Sequence, residues 1–224
     1  DGATPAKGQM TVTQAKRYMR TLAEMEATPT GREAIQRIKE GKVKVTMDDA
    51  ATFRQGDRIN IGNGKRGRHN RGASLAHEAH HAATDAKKPP LVGSDPDTYV
   101  KGMLRNEAEA QTKSFEYLRE AGVEPQGQFG AGKYHAAYDD AAAKFRQQNP
   151  DATPAAVHKH ATEAGTVALE KAFGDAVPST SMTTNAQGQR VLKEGAPKNY
   201  VEHYGATHKK ANPDVPTTAK KPTA

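Results

Sequence analysis

The stretch "ASLAHEAHHAATD", Ala73–Asp85, decides how the chain is read. Its small apolar residues, Leu75, Ala79, Ala82 and Ala86 just beyond it, recur at helical spacing, and Ser74 has the side chain of an N-cap. The spacing predicts a helix from Ser74 to about Ala86, with Pro89 and Pro90 marking a point it cannot pass unbroken. On that helix His77 and His81 lie one turn apart on the same face, and Glu78 is one step round. His80 also falls three residues after His77, so the stretch alone leaves the pairing of its histidines open.

Working outward, "KVKVT" (Lys42–Thr46) and "DRINIG" (Asp57–Gly62) alternate strictly and predict two short strands, with Val43, Val45, Ile59 and Ile61 on their buried faces. Upstream, Ala15, Met19, Leu22 and Met25 form a helical stripe over Thr13–Ala27. "TGRE" reads as a capping box with Thr30 as N-cap and Glu33 reaching back, opening a helix that Gly41 ends. Downstream, helices are expected from Asp97 to about Ala121, from Lys133 to Gln148, and from Pro154 to Phe173. The last has Thr153 as N-cap and Gly174 past its end. Residues from Val177 to Gly205 read as loop with one short strand or helical turn. The order predicts an α+β, predominantly helical fold, with a small N-terminal sheet packed on the central helix and a helical C-terminal half.

The 224 residues carry 35% apolar and 5% aromatic side chains, so the core must be modest and rich in alanine. No apolar run is long enough to span a membrane. Residues 1–10 read as a linker without the layout of a signal peptide, 11–208 as the folded domain, and 209–224 as a disordered basic tail. The chain has no cysteine, which excludes disulfides and thiolate metal sites and leaves histidine and carboxylate as ligands. A net charge of +7 favours acidic partners. Much of it, however, sits in "GKRGRHNRG" (Gly64–Gly72) and in the tail, and no aromatic residue interleaves those charges, which argues against a nucleic-acid groove.

His77 and His81 can offer two imidazole nitrogens to one ion, with Glu78 flanking it to hold and deprotonate a water, the H-E-x-x-H arrangement. So short a pattern needs a third ligand. The following helix has an inward stripe of Val100, Met103, Leu104, Ala110, Ser114, Tyr117 and Leu118, and Glu107 falls on it. A carboxylate on such a stripe is costly unless something positive meets it. A metal is one answer; an ion pair with Arg105 or Lys101 is the other. Glu109, Glu116 and Glu120 are expected to face solvent. Pairing His77 with His81 gives Glu78 a role that pairing with His80 does not, so His80 is expected to be a solvated or supporting residue.

With these residues in place the chain resembles the gluzincin group of zinc metallopeptidases, whose third ligand is a glutamate from a following helix. "HEAHHAATD" is similar to the thermolysin-type active-site helix, including Asp85, and "RNEAEA" is similar to the segment that carries the third ligand. Where that family has an aspartate four residues after the third ligand, this chain has Gln111, so support for the ligand histidines must come from elsewhere. In size, and over Lys42–Gly122, the chain looks more like the compact metallopeptidase domains at the C-termini of bacterial polymorphic toxins, among them Rhs proteins and the spike (VgrG) proteins of type VI secretion.

The resemblance implies zinc (Zn2+) held by His77, His81 and Glu107, with Glu78 as general base and acid. It further implies a secreted effector acting in the target cell, with the periplasm favoured. Its partners would be a protein or peptide substrate, a carrier spike or Rhs protein in cis and a cognate immunity protein. The strand holding Ile59–Ile61 precedes the site, and in zincins an edge strand pairs with extended substrate. A donor for the developing oxyanion is expected from "NYVEHYG", as His203 or Tyr204, for which plain packing is the competing role. Two other classes remain: a metal-dependent nuclease toxin, and an inert binding domain with a structural zinc, which would want a fourth protein ligand.

Overall fold

The computed structural model describes residues 10–48, 52–62, 68–125 and 127–213. The linker expected at 1–10 lies outside them except for Met10, as do Gly64–Gly67 of the basic stretch and the tail beyond 213. The fold is α+β and mostly helical. The chain divides into two compact units, one drawn from Asp1–Ala86 and Glu109–Ala131, the other from Lys87–Ala108 and Gly132–Ala224.

In the first unit, α1 (Val12–Glu26) opens on a capping box between Thr11 and Gln14. Its buried side chains are Thr21 and Met25, while Met19, expected on the inward stripe, is 63% exposed. Tyr18 packs on the core in its place. The helix α2 (Pro29–Glu40) starts two residues earlier than the sequence suggests: Thr28 is the N-cap, accepting from the Gly31 N–H, and Pro29 sits at the first helical position. Thr30 instead gives its N–H and hydroxyl to the two oxygens of Glu120, each at 2.8 Å. Glu33 pairs with Arg37 rather than closing a capping box. Gly41 is the C-cap of α2, as expected.

Three strands follow: β1 (Lys44–Asp48), β2 (Phe53–Gln55) and β3 (Arg58–Gly62). Their order is β1-β3-β2, with β1 parallel and β2 antiparallel to β3. Ile59 and Ile61 are fully buried as the alternation predicts, and Met47 joins them. The sequence reading missed β2, which is three residues long with an exposed-intermediate-exposed pattern. That omission matters, because β2 and β1 occupy both sides of β3. The Ile59–Ile61 strand is therefore central and has no edge to offer an extended substrate.

The helix α3 (Arg68–Thr84) begins six residues before the expected N-cap, so Ser74 is an interior residue, and a 3-10 turn, Asp85–Lys87, finishes it. Arg68–Gly72 of the basic stretch are thus helical rather than loop. The helix α4 (Pro96–Glu120) follows, its end fixed by Gly122 at φ +68°. One core gathers Met25, Ile35, Ile38, Ile59, Ile61, Leu75, Ala79, Tyr117 and Leu118 with several alanines. Gly72 of α3 lies against the Tyr117 ring of α4: a Cβ there would stand 2.4 Å from the Tyr117 hydroxyl. Burial, with the charge of Glu24 adding to it, pushes the Tyr117 phenol up to about 12.

In the second unit, α5 (Ala131–Gln148) and α6 (Pro154–Asp175) carry the core residues Tyr134, Tyr138, Ala141, Val157, Ala161 and Leu169. Thr153 caps α6 as expected, accepting from the Ala156 N–H. Gly174 lies inside the helix, whose C-cap is Ala176. The segment expected to be mainly loop holds a 3-10 turn, a hairpin of β4 (Met182–Thr184) and β5 (Arg190–Leu192), and a 12-residue helix α7 (Tyr200–Ala211). Asn199 is the N-cap of α7, accepting from Glu202. Its apolar positions are tyrosines, histidines and alanines rather than aliphatics, which hid the helical period from a hydropathy reading. Among the described residues, no helix is long and apolar enough to cross a membrane.

Candidate metal centre

Two residues of α3 and one of α4 form the site. His77 and His81, one turn apart, bring their Nε2 atoms to 3.0 Å from each other. Two imidazole nitrogens on a tetrahedral zinc, each at about 2.0–2.1 Å, would stand roughly 3.3 Å apart. The pair is therefore already close to ligand spacing, and a cation would replace a single shared proton between the rings. Glu107 completes the set: the ligand atoms of His77, His81 and Glu107 all lie within 4.8 Å of one another. His81 is buried, and His77 and Glu107 are half-buried. Two neutral nitrogens and one carboxylate are the donor types zinc takes, and their convergence fits one divalent ion.

The basic partners named for Glu107 are Arg105 and Lys101. Arg105 gives both guanidinium nitrogens to Glu163, at 2.9 and 2.8 Å, and Lys101 is exposed. What holds Glu107 is Tyr204 of α7, whose hydroxyl donates to Oε1 at 3.0 Å. Tyr204 is 7% exposed, with Tyr99 and Tyr200 against its ring. Burial, then the adjacent Glu107 charge, raises its phenol far above the ordinary value, so it stays a donor. His203 is half-buried, its ring against those of Tyr200 and Tyr204.

His80 is not solvated. It is 6% exposed, with Nδ1 3.4 Å from an Arg37 nitrogen and Nε2 3.4 Å from a Glu109 oxygen. Burial holds its pKa below the usual imidazole value, against the opposing pull of Glu109. Its side chain belongs to the packing of α3 against α2 and α4. Of the three glutamates expected to face solvent, Glu120 is exposed while it accepts from Thr30, whereas Glu109 and Glu116 are half-buried, against His80 and against Lys113 at 2.8 Å. Asp85, at the end of α3, pairs with Arg54 of β2.

Beside the histidine pair is a cleft of about 390 Å³, to whose lining His77 and Glu78 both contribute. Gln111, standing where the resemblance expects an aspartate, lines it too and donates to Gln128 rather than to a histidine. Asn70 and Gln128 were not singled out from the sequence, since no spacing rule connects a first-turn asparagine to a glutamine in a glycine-rich connection. No family model, curated protein or solved structure matches the chain.

Proposed function

We propose that the chain is a zinc-dependent hydrolase of peptide bonds. The observation that carries this reading is the convergence of His77, His81 and Glu107 while Glu78, the neighbour of the first histidine, opens onto the adjoining cleft. Zinc held by such a set supplies Lewis acidity, polarising an amide carbonyl and acidifying water. Glu78 then takes a proton from the water whose oxygen adds to the carbonyl carbon, and returns it to the nitrogen as the C–N bond breaks. One water is consumed, and a carboxylate and an amine result. Tyr204 has committed its one proton to Glu107, which makes it a positioning residue for that ligand. His203 keeps the two roles weighed for it, oxyanion donor or packing against the rings of Tyr200 and Tyr204.

The further reading, an effector domain of a type VI spike or Rhs toxin with a cognate immunity protein, rests on the resemblance of "HEAHHAATD" and "RNEAEA" to those domains. Purified protein is expected to hold about one zinc per chain by elemental analysis. Glu78→Gln should keep that metal and lose at least about a hundredfold in peptide cleavage, whereas Glu107→Ala should lose both. Metal-free protein, or full activity in Glu78→Gln, would end this reading. Expression in bacteria with and without a periplasmic leader, wild type beside Glu78→Gln, tests toxicity and compartment together.

A further inference from the structure

We propose that the cleft beside Glu78 is a binding site for uncharged amide groups, selecting a peptide that carries carboxamide side chains there over large apolar ones. The name substrate for that peptide rests on the hydrolase reading; the binding site does not. Three carboxamides from three separate segments line the cleft: Asn70 in the first turn of α3, Gln111 on α4 and Gln128 in the connection to α5. They form a chain, in which Gln111 Nε2 donates to Gln128 Oε1 at 3.5 Å and Gln128 Nε2 donates to Asn70 Oδ1 at 3.1 Å.

Each carboxamide has two donor hydrogens and an oxygen with two lone pairs. These bonds leave both hydrogens of Asn70, the oxygen and one hydrogen of Gln111, and one hydrogen of Gln128 without a hydrogen bond among the described residues. Donors and an acceptor therefore stand together on one lining, the complement of another amide, which is itself a donor and an acceptor. Two of the three hydroxyls beside them are engaged, the third being Ser74 of α3. Ser114 donates to the Ala73 carbonyl at 2.8 Å, and Thr52 accepts from the Gly62 N–H. Among the described residues, His77 and Glu78 are the ionisable side chains of the lining. A leucine or phenylalanine side chain would cover the amides without pairing them, at a cost of roughly tenfold in affinity for each group stranded.

The test uses full-length wild-type protein, freed of metal with a chelator, labelled with nitrogen-15 and titrated with N-acetylglutamine methylamide, or with the leucine analogue, while side-chain amide resonances are followed. The glutamine compound should shift the Asn70, Gln111 and Gln128 signals at concentrations at least about tenfold below those the leucine compound needs. Gln128→Leu, checked for folding by circular dichroism, should bring the two compounds to within about threefold, and Asn70→Ala serves if that variant does not fold. Equal responses to both compounds, or none to either, overturn the proposal. A mixed peptide library with zinc-loaded wild type separates the two readings. Amide binding without any cleavage removes the hydrolase and keeps the cleft, whereas cleavage with an apolar preference removes the cleft alone.

Discussion

Tyr204 shows how one hydrogen bond changes a residue's assignment. From the sequence it was one of two candidates for an oxyanion donor; in the structure its hydroxyl is spent on Glu107, 97 positions earlier in the chain. Removing such a support typically weakens metal binding about 10–100-fold. Tyr204→Phe should therefore raise the zinc dissociation constant by that factor in a chelator competition, with the helical signal unchanged, and should add nothing to a Glu107→Gln background. Strict additivity of the two substitutions would return Tyr204 to plain packing. His80 makes the opposite case. It is the most buried histidine of the motif, yet its neighbours are Arg37 and Glu109. His80→Ala should cost about 2 kcal/mol in urea unfolding and leave the zinc content at one per chain, whereas His81→Ala should abolish it. Loss of zinc from His80→Ala would show the ligand pair to be wrongly chosen.

Helix α3 depends on a feature that its hydropathy does not reveal. Its early start at Arg68 places Gly72 in the helix, facing the Tyr117 ring of α4, where a Cβ would meet the hydroxyl at 2.4 Å and Cζ at 2.5 Å. A flat ring held in a core cannot step aside cheaply. Gly72→Ala should destabilise the protein by about 1–3 kcal/mol, read as a lower urea midpoint at unchanged slope. An unchanged midpoint would mean that the two helices are free to separate there. The sheet carries a related lesson. Alternation found β1 and β3, but β2 has only three residues and no buried side to set a period, so the sequence could not tell that β3 is central.

For the whole chain, the consequence of a metal centre is thermodynamic. An ion that binds the folded chain and not the unfolded one stabilises it by about 2.7 kcal/mol at a hundredfold excess over its dissociation constant. For a chain of this size that is roughly 5–10 °C in melting temperature. Differential scanning calorimetry should therefore show zinc raising the transition and a chelator lowering it, with Glu107→Ala insensitive to both. A wild-type transition indifferent to zinc would count against the site.

The sequence alone determined what is local. The 3.6-residue period, the Thr153 cap and the Gly122 stop are set by neighbours a few residues away, and so were recoverable. So was the spacing of His77 and His81, because an α-helix fixes the geometry of any i, i+4 pair. Glu107 was accessible for a related reason: a carboxylate on an apolar stripe is an anomaly whatever lies opposite. Only the tertiary structure decided what lies opposite. That His80 meets Glu109, that Tyr204 holds Glu107, that Thr30 donates to Glu120, and that three carboxamides share one cleft are all contacts between segments distant in the chain. No periodicity encodes them, because each depends on how helices already formed come to pack.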